Sequence, residues 1–207
     1  FSMPSWQVAM NELSNHDHSR FLTRTNHKVG RTNTLGPQAA EQGINKAVFR
    51  EGVVIQMTWT GAPTIYYGDE AGVCGFTDPD NRRTYPWGHE DQVLLAFHKD
   101  IIRLRRENEE LRSGSLKMLE SDYNFISYGR FNRKGQCAVL INNNNHPITK
   151  EIHVWEIGTP KTGKMKVILQ SRDDGYCMEG AEYEIKAGKI LIEMPQTSAT
   201  ILKFIEE

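Results

Sequence analysis

Two segments in the first half of the chain carry apolar residues at helical spacing, and a short apolar stretch lies between them. Residues 39–59 and 91–107 each carry apolar side chains at helical intervals, which predicts two amphipathic helices. Between them, Ile65–Tyr67 is flanked by glycine and proline, which predicts a short strand, and an earlier strand is expected to end at Leu13. Such alternation is typical of an α/β protein with a parallel sheet or barrel, although two strand–helix units cannot close one.

After about residue 112 the helical period stops and short β-rich stretches alternate with turn-rich segments. The predicted strands are 115–120, 125–131, 137–143, 150–157, 165–170, 181–186, 189–194 and 199–204. Strands at this spacing indicate an antiparallel β-sandwich. We therefore divide the chain into an α/β part, residues 1–110, and a sandwich, residues 111–207, and expect Trp59 and Trp155 to lie in the core.

Composition narrows the classes of partner. The 207 residues are 38% hydrophobic and 25% charged, as expected for a globular protein with a real core. The net charge of −1 and the pI near 6.7 predict no broad attraction to nucleic acid or to a membrane surface. No apolar run approaches the roughly 20 residues of a membrane-spanning helix, so neither partner is expected.

The cysteines and the start of the chain bear on its compartment. Cys74, Cys137 and Cys177 lie far apart without a metal-binding spacing, and an odd number of cysteines favours reduced thiols. No signal-like segment follows Phe1, so we expect a cytoplasmic protein, with the true N-terminus left open. P-loops, dinucleotide-binding glycine turns and nucleophile elbows do not occur in the sequence, and no cofactor is predicted.

The stretch SNHDHSRF, residues 14–21, concentrates polar side chains at one point. If Leu13 closes a parallel strand, Asn15, His16 and Asp17 lie at its carboxyl end, which is where α/β barrels place their active sites. There an imidazole and a carboxylate can bind sugar hydroxyls, and a charged Asp can stabilise positive charge on a sugar ring. The alternative is a polar loop in which His16 or His18 caps the backbone.

A metal site is a further alternative for this stretch. His16 and His18 would share one face of a strand, as paired metal ligands often do. Because no third ligand is visible nearby, we predict no metal site.

Two further motifs carry groups suited to a site. In GDEAG, residues 68–72, Asp69 and Glu70 are adjacent and point to opposite faces of a strand, whereas the two carboxyls of a retaining glycosidase converge about 5 Å apart. We therefore expect one carboxylate to turn inward against a loop or an arginine, and the other to lie near the rim. DPDNRRTYPW, residues 78–87, mixes aromatic and planar hydrogen-bonding groups that suit a sugar face, or alternatively a proline-rich turn with surface salt bridges.

Together these motifs resemble the α-amylase family of glycoside hydrolases. LSNHDHSR (13–20) resembles the family's fourth conserved region, and GAPTIYYGDEAG (61–72) resembles its strand-eight segment. DPDNRR with the later Trp87 is similar to the loop that follows in the neopullulanase, cyclomaltodextrinase and oligoglucosidase branches. The three motifs stand in family order and spacing, and a β-rich C-terminal domain also fits, so the resemblance covers the whole chain.

The resemblance implies a fold and a reaction. The fold would be the last strand–helix units, strands seven and eight with their helices, of an incomplete (β/α)8 TIM barrel, followed by the antiparallel sandwich. The reaction would be retaining cleavage of α-glucosidic bonds in starch, maltooligosaccharides or cyclodextrins. Asp17 would stabilise the transition state and His16 would hydrogen-bond the same sugar, while Asn15 and Arg20 would hold the strand end and its loop.

Other positions take supporting roles by the same resemblance. Asp80 and Arg82 would line outer glucose subsites, and Tyr67, Asp69 and Glu70 would be structural residues near the site.

The family's nucleophile and general acid would come from barrel strands before Phe1, and neither Glu12 nor the Asp69–Glu70 pair is placed to replace them. The missing N-terminal barrel portion is thus an expected partner, and we predict that the chain alone is inactive. The alternatives are a non-catalytic scaffold of the same fold and a carbohydrate-binding module. The intact His16–Asp17 pair favours an enzyme.

Overall fold

The computed structural model describes residues 3–206. Its first part contains helices α1 to α6 and the strands β1 and β2. In chain order these are α1 (Met3–Gln7), β1 (Met10–Asn11), α2 (Phe21–Arg24), α3 (Thr32–Leu35), α4 (Lys46–Thr58), β2 (Ala62–Pro63), α5 (Gln92–Glu107) and α6 (Glu109–Ser113). The two strands pair in parallel, with Met10 opposite Ala62 and Asn11 opposite Pro63. Of the helices in this described range, none is long and apolar enough for a membrane crossing.

The two long helices form where the apolar period predicts them, and their starts follow from capping side chains. The Asn45 side-chain oxygen accepts hydrogen bonds from the backbone of Ala47 (2.9 Å) and Val48 (3.1 Å), and Asp91 caps α5 in the same way. The α4 helix therefore begins later than the sequence pattern predicts, because the residues before it form a separate 3₁₀ turn at Pro37–Ala40.

The predicted strand at Ile65–Tyr67 is wrong. Strand β2 is shorter and earlier, at Ala62–Pro63, and the tyrosines that follow lie in irregular structure. The reason is that the Tyr67 carbonyl accepts a hydrogen bond from the buried Arg20 side chain (2.5 Å) instead of joining a strand ladder. Strand β1 likewise ends at Asn11, before the predicted end at Leu13.

The second part is an antiparallel β-sandwich, as the sequence predicts. Its strands are β3 (Ser115–Asp122), β4 (Phe125–Phe131), β5 (Gln136–Asn142), β6 (Ile148–Ile152), β7 (Gly163–Arg172), β8 (Gly175–Cys177), β9 (Glu182–Ile185), β10 (Ile190–Met194) and β11 (Ser198–Ile205). The larger sheet has the order β3-β4-β5-β11-β7-β8, with β9 also paired to β7, and β6 pairs with β10 in a second sheet. The predicted strand 150–157 is instead β6 followed by a 3₁₀ turn at Val154–Ile157.

The larger sheet is buried on both faces. In β5, the side chains of Cys137, Val139 and Ile141 belong to the core that includes α4 and α5. The intervening Ala138 and Leu140 belong to a second core shared with β6 and β10. This explains the uninterrupted apolar run of β5, because each face of a strand takes alternate residues. The division at residues 110 and 111 falls inside α6, where one core continues from helices to sheet.

Trp155 is not in the core, which corrects the sequence expectation. The 3₁₀ turn that holds it directs Val154 and Ile157 inward and leaves Trp155 46% exposed. The Lys161 ammonium lies 4.1 Å from the centre of its ring. Trp59, by contrast, packs partly buried against the first core.

A buried arginine joins the helices to the sheet. Arg130 of β4 is fully buried and donates hydrogen bonds to the carbonyls of Leu111 and Gly114, both at 3.0 Å, and to that of Thr58 at the end of α4. Carbonyls at the end of a helix lack partners within the helix and carry partial negative charge, so a cation is favourable there. Burial, and then the charge of Arg105, lowers the pKa of Arg130 to about 10.

A hydrogen-bonded chain runs beside this arginine. The Thr58 hydroxyl donates to the Val54 carbonyl (2.6 Å), so its oxygen is left to accept from the Tyr128 hydroxyl, also at 2.6 Å. The Tyr128 ring meets Trp59 edge-on with centroids 4.8 Å apart. The sheet is thus fixed to the end of α4 by polar contacts as well as by apolar packing.

We predict that Arg130→Lys lowers the free energy of unfolding by about 2–3 kcal/mol, because a lysine cannot reach all three buried carbonyls at once. Urea denaturation of the chain measures this. The matched control is Arg133→Lys in the exposed turn after β4, which should change stability by less than about 0.5 kcal/mol. Equal effects of the two substitutions would contradict the role given to Arg130.

One buried carboxyl makes stability depend on pH. Glu51 of α4 is 4% exposed and lines a groove of ≈360 Å³ between α4 and the β3–β4 turn. Its Oε1 has no hydrogen-bond partner within residues 3–206. Burial, and then the charge of Asp173, raises its pKa from 4.5 to about 8. The folded state therefore holds a proton that the unfolded state has already lost between these two values.

We predict that the free energy of unfolding of the chain falls as the pH rises from about 5 to about 8, on the order of a few kcal/mol, because folding must then protonate Glu51 or bury its charge. Glu51→Gln should remove this part of the slope. Denaturation at a series of pH values checks it, with Glu179→Gln as the exposed control. Parallel pH profiles for the wild-type chain and Glu51→Gln would show that the prediction is wrong.

Candidate functional site

His16 and Asp17 lie in the loop that follows β1. Their side chains are 61% and 71% exposed, and the imidazole Nε2 lies 3.4 Å from the carboxylate Oδ1. An acceptor and a ring nitrogen side by side on an open surface can both reach neighbouring hydroxyls of one small polar ligand.

The backbone under this pair is fixed by Asn15. Its side-chain oxygen accepts hydrogen bonds from the backbone of Asp17 (2.8 Å) and His18 (3.1 Å), which is an Asx turn. Its amide group donates to Glu12 at 2.5 Å. Asn15 therefore shapes the loop that presents Asp17.

Asn81 fixes the same loop from the opposite side. It is fully buried, and its side-chain amide lies 3.2 Å from the carbonyl oxygen of Asn15 and 2.8 Å from those of His16 and His18. Asn81 is not among the site residues that the sequence predicts. The DPDNRR motif contains it, but motif position alone does not show that its partners lie 63 to 66 residues earlier in the chain.

Arg20 connects these loops beneath the surface. Its guanidinium is fully buried and donates to the carbonyls of Asn81 (2.9 Å) and Tyr67 (2.5 Å) and to the Asp69 carboxylate (3.0 Å). It also lies 4.2 Å from the ring centre of Tyr66 and 4.8 Å from that of Tyr67. A buried cation with these contacts orders three segments at once.

Asp69 is turned inward, whereas Glu70 stays nearer the surface. Burial raises the pKa of Asp69, and hydrogen bonds from Ser14 and Arg20 oppose that shift. Ser14 also accepts a hydrogen bond from the Phe21 backbone at 2.9 Å. The Glu70 carboxylate accepts from the Gly68 backbone at 2.9 Å. The two carboxylates thus have separate partners and do not converge on one point.

The DPDNRR segment contains an exposed ion pair, which we call the open pair, and a largely buried ion pair, which we call the closed pair. Arg82 forms an ion pair with Asp78, and both side chains are at least half exposed. The hydrogen bond to Asp78 raises the pKa of Arg82, and Asp17 is among the charges that contribute to this shift. Arg82 therefore lies within electrostatic reach of the His16–Asp17 pair.

Asp80 forms the closed pair with Arg83. Its two oxygens each lie 3.0 Å from guanidinium nitrogens of Arg83, and one also accepts from the Phe76 backbone at 2.7 Å. With only 10% of its side chain exposed, Asp80 has little surface left for a ligand. The expected sugar contact of Asp80 stays a prediction, one that this geometry does not favour.

Gly75 permits the close contact between this segment and the rest of the site. A Cβ atom at Gly75 would lie 2.4 Å from the Asp80 carbonyl oxygen and 2.8 Å from the Asn81 Cα. The Gly75 backbone also bonds to Arg20 and Thr23. Only glycine fits where these backbones meet.

Within residues 3–206, no group of three or more His, Cys, Asp or Glu side chains is arranged to hold a metal ion. The described site presents an exposed carboxylate and an imidazole on a fixed backbone, with the Arg82 guanidinium within electrostatic reach of Asp17. Such a set can bind vicinal hydroxyls and stabilise positive charge that develops on a ligand.

Comparison with known proteins finds relatives that align with nearly the whole chain. No family model matches the chain. The chain is 31% identical over 205 residues to the amylopullulanase of Thermoanaerobacter thermohydrosulfuricus, an alignment that covers 98% of this chain and 14% of that protein. It is 32% identical over 200 residues to neopullulanase 2 of Thermoactinomyces vulgaris, which covers 95% of this chain and 29% of that protein. The chain thus spans less than a third of the length of these relatives.

Solved structures show the same likeness in the fold. The crystal structure of the α-amylase from Geobacillus thermoleovorans, complexed with acarbose, superposes with a TM-score of 0.76 at 19% identity over 97% of this chain and 40% of that one. From these sequence and structural likenesses we conclude that the chain belongs to the α-amylase family of glycoside hydrolases and corresponds to the C-terminal part of such an enzyme.

Proposed function

We propose that these residues form one side of the active site of an enzyme that hydrolyses α-glucosidic bonds in starch-like glucans. The observation that carries the proposal is the exposed His16–Asp17 pair, presented on a loop that Asn15 and Asn81 hold in place. The sequence likeness to an amylopullulanase and a neopullulanase also supports the proposal.

In this proposal Asp17 stabilises the transition state. Cleavage of a glycosidic bond develops positive charge on the sugar ring, and a carboxylate that is already in position lowers the energy of that state. His16, 3.4 Å from the carboxylate, donates a hydrogen bond to a hydroxyl of the same ring. Arg82 lies at the margin of the site and binds hydroxyls of a more distant glucose residue.

The remainder of the site belongs, in our proposal, to the rest of a (β/α)8 barrel. The parallel pair β1–β2 would supply strands seven and eight of that barrel, with α4 and α5 as their helices. The carboxyl ends of barrel strands meet at one rim, so a nucleophile and a general acid from other strands would face Asp17.

The other carboxylates of the three motifs that have a described partner are held by that partner, and we therefore propose that the chain alone does not catalyse the reaction. Asp69 is paired with the buried Arg20, Glu70 with the Gly68 backbone, and Asp80 with Arg83. Retaining hydrolysis needs a second and a third functional carboxyl on either side of the bond.

We predict no release of reducing sugar when the purified chain is incubated with starch, pullulan or cyclodextrins. The Asp17→Asn chain is the matched control and sets the background of the assay. Release above that background would contradict the proposal, because it would require a complete catalytic set within these 207 residues.

In the complete protein, we predict that Asp17→Asn lowers kcat on maltooligosaccharides roughly a hundred- to a thousandfold, since one preorganised charge at the transition state is lost. Steady-state kinetics measures this effect.

The control is Asp122→Asn, an exposed carboxylate of β3 in the sandwich, which should leave kcat unchanged. An Asp17→Asn enzyme with wild-type kcat would reject the role of Asp17 and favour a scaffold or binding protein of the same fold.

A further inference from the structure

Glu51 places a buried carboxyl without a partner at the edge of an open groove. The side chain is 4% exposed, and its Oε1 has no hydrogen-bond partner within residues 3–206. Buried polar groups of folded proteins are nearly always hydrogen-bonded, because an unpaired one destabilises the folded state. The unpaired oxygen of Glu51 therefore points to a donor that comes from outside the described residues.

The groove is formed by one face of α4 and the turn between β3 and β4. Val48, Glu51 and Ile55 follow each other at intervals of three and four residues, so they share this face of the helix. The remaining lining is mostly apolar and comprises Phe21, Gly52, Asp122, Asn124, Phe125, Ile126, Ile141 and Asn143. The volume of ≈360 Å³ leaves room for a long side chain that reaches Glu51.

Other faces of α4 are already packed. Phe49 contacts His98 of α5 with ring centres 6.0 Å apart, and Val54 lies in the core shared with the larger sheet. Val48 and Ile55 are only half-buried, although they are as apolar as these neighbours. Among the residues that the structure describes, nothing covers this face of α4 to the same extent.

The turn on the far side of the groove is also open. Tyr123 is 84% exposed and lies between Asp122 and Asn124, which both line the groove. Asn124 has a φ of 55°, a left-handed conformation that is typical of asparagine in tight turns. An open aromatic side chain beside a half-covered helix face enlarges the surface that one partner can cover.

The charges around the groove favour a cation as the partner. Asp122 lines the groove, and Asp173 in the turn after β7 acts on the Glu51 carboxyl. Asp122 is already paired with Lys150 at 2.7 Å, and the Arg50 guanidinium donates to backbone carbonyls at the end of β7. Glu51 is therefore the carboxyl that is left to pair. Lysine and arginine carry a cation on an aliphatic stem, which matches apolar walls with a carboxyl between them.

We propose that the Glu51 groove receives a lysine or arginine side chain from the helix that precedes β1 in the complete barrel. This inference rests on the proposed function, which supplies the barrel. The relatives compared above extend well beyond the matched segment, which covers 14% of one and 29% of the other. The helices of a (β/α)8 barrel form an outer ring, so α4 has a neighbour on each side. With α5 on one side, the helix of the preceding unit lies on the other and closes the groove.

The test measures how the Tm of the complete protein depends on pH, with and without Glu51→Gln. A cation in the groove holds the pKa of Glu51 below its ordinary value of 4.5, so the ion pair is fully formed from pH 5 to 8. We expect Glu51→Gln to lower the Tm by a similar amount, a few degrees, throughout this range. Scanning calorimetry at a series of pH values checks this, with the exposed Glu179→Gln as the control that leaves the Tm unchanged.

An unpaired Glu51 gives a different profile. Burial then keeps its pKa raised, so the wild-type protein loses stability towards pH 8 and Glu51→Gln gains in Tm relative to it. Such a gain, or equal Tm values at every pH, would overturn the inference. A crystal structure of the wild-type complete protein gives a second measurement that needs no variant. We expect a lysine or arginine nitrogen within about 4 Å of the Glu51 carboxylate. Solvent, an apolar side chain, an organic cation or a second copy of the protein at that position would reject the proposed partner.

The kinetics of Asp17→Asn separate this inference from the proposed function. If Glu51→Gln gives the profile of an unpaired carboxyl while Asp17→Asn lowers kcat strongly, the ion pair is rejected and the proposed function stands. If Glu51→Gln lowers the Tm evenly from pH 5 to 8 while Asp17→Asn keeps the wild-type kcat, the ion pair is supported and the catalytic role of Asp17 is rejected.

Discussion

The buried guanidinium of Arg20 is the contact on which the candidate site depends. It bonds to Asn81, Tyr67 and Asp69, so the segments around these residues share a single cation. A buried charge that loses its partners costs several kcal/mol, which makes any arrangement that separates these segments unfavourable. The Asn81 side chain in turn donates hydrogen bonds to backbone carbonyls of the loop that carries Asp17, which fixes that loop. The exposed residues of the site are thus positioned by residues that never reach the surface.

A second constraint holds the framework that supports this site. The larger sheet has an apolar core on each face, and Arg130 and Tyr128 of β4 fasten it to the end of α4. The turn after α4 leads directly to β2, and β2 pairs with β1, from which the His16–Asp17 loop departs. Packing of the sandwich against the helices therefore bears on the position of the site, and the sandwich is more than an appended domain.

Periodicity in the sequence predicts the elements that are set by local burial. The long helices α4 and α5 and most of the sandwich strands form where apolar spacing places them, because each buries one face or alternate residues. It fails where a tertiary contact decides the backbone. Ile65–Tyr67 has the composition of a strand, yet Arg20 draws the Tyr67 carbonyl away from any ladder. Trp155 is large and apolar, yet a 3₁₀ turn leaves it on the surface.

In the candidate site, too, the sequence reveals residues that are close together in the chain but not those that act through distant tertiary contacts. The motif that contains His16 and Asp17 is visible in the sequence because its residues are consecutive. The role of Asn81 is not, since its three carbonyl partners are distant in the chain and are backbone groups that carry no sequence signal. Asp80 shows the opposite case, because a charged residue in a motif suggests a ligand contact while its partner is the neighbouring Arg83.

A crystal structure of the complete protein carrying Asp17→Asn with a bound maltooligosaccharide tests the proposed role of the His16–Asp17 pair most directly. We expect the side chains at positions 16 and 17 both to lie within hydrogen-bond distance of hydroxyls on one glucose ring, with the Asn81 contacts to the loop retained. A sugar bound elsewhere, with both side chains still facing solvent, would contradict it.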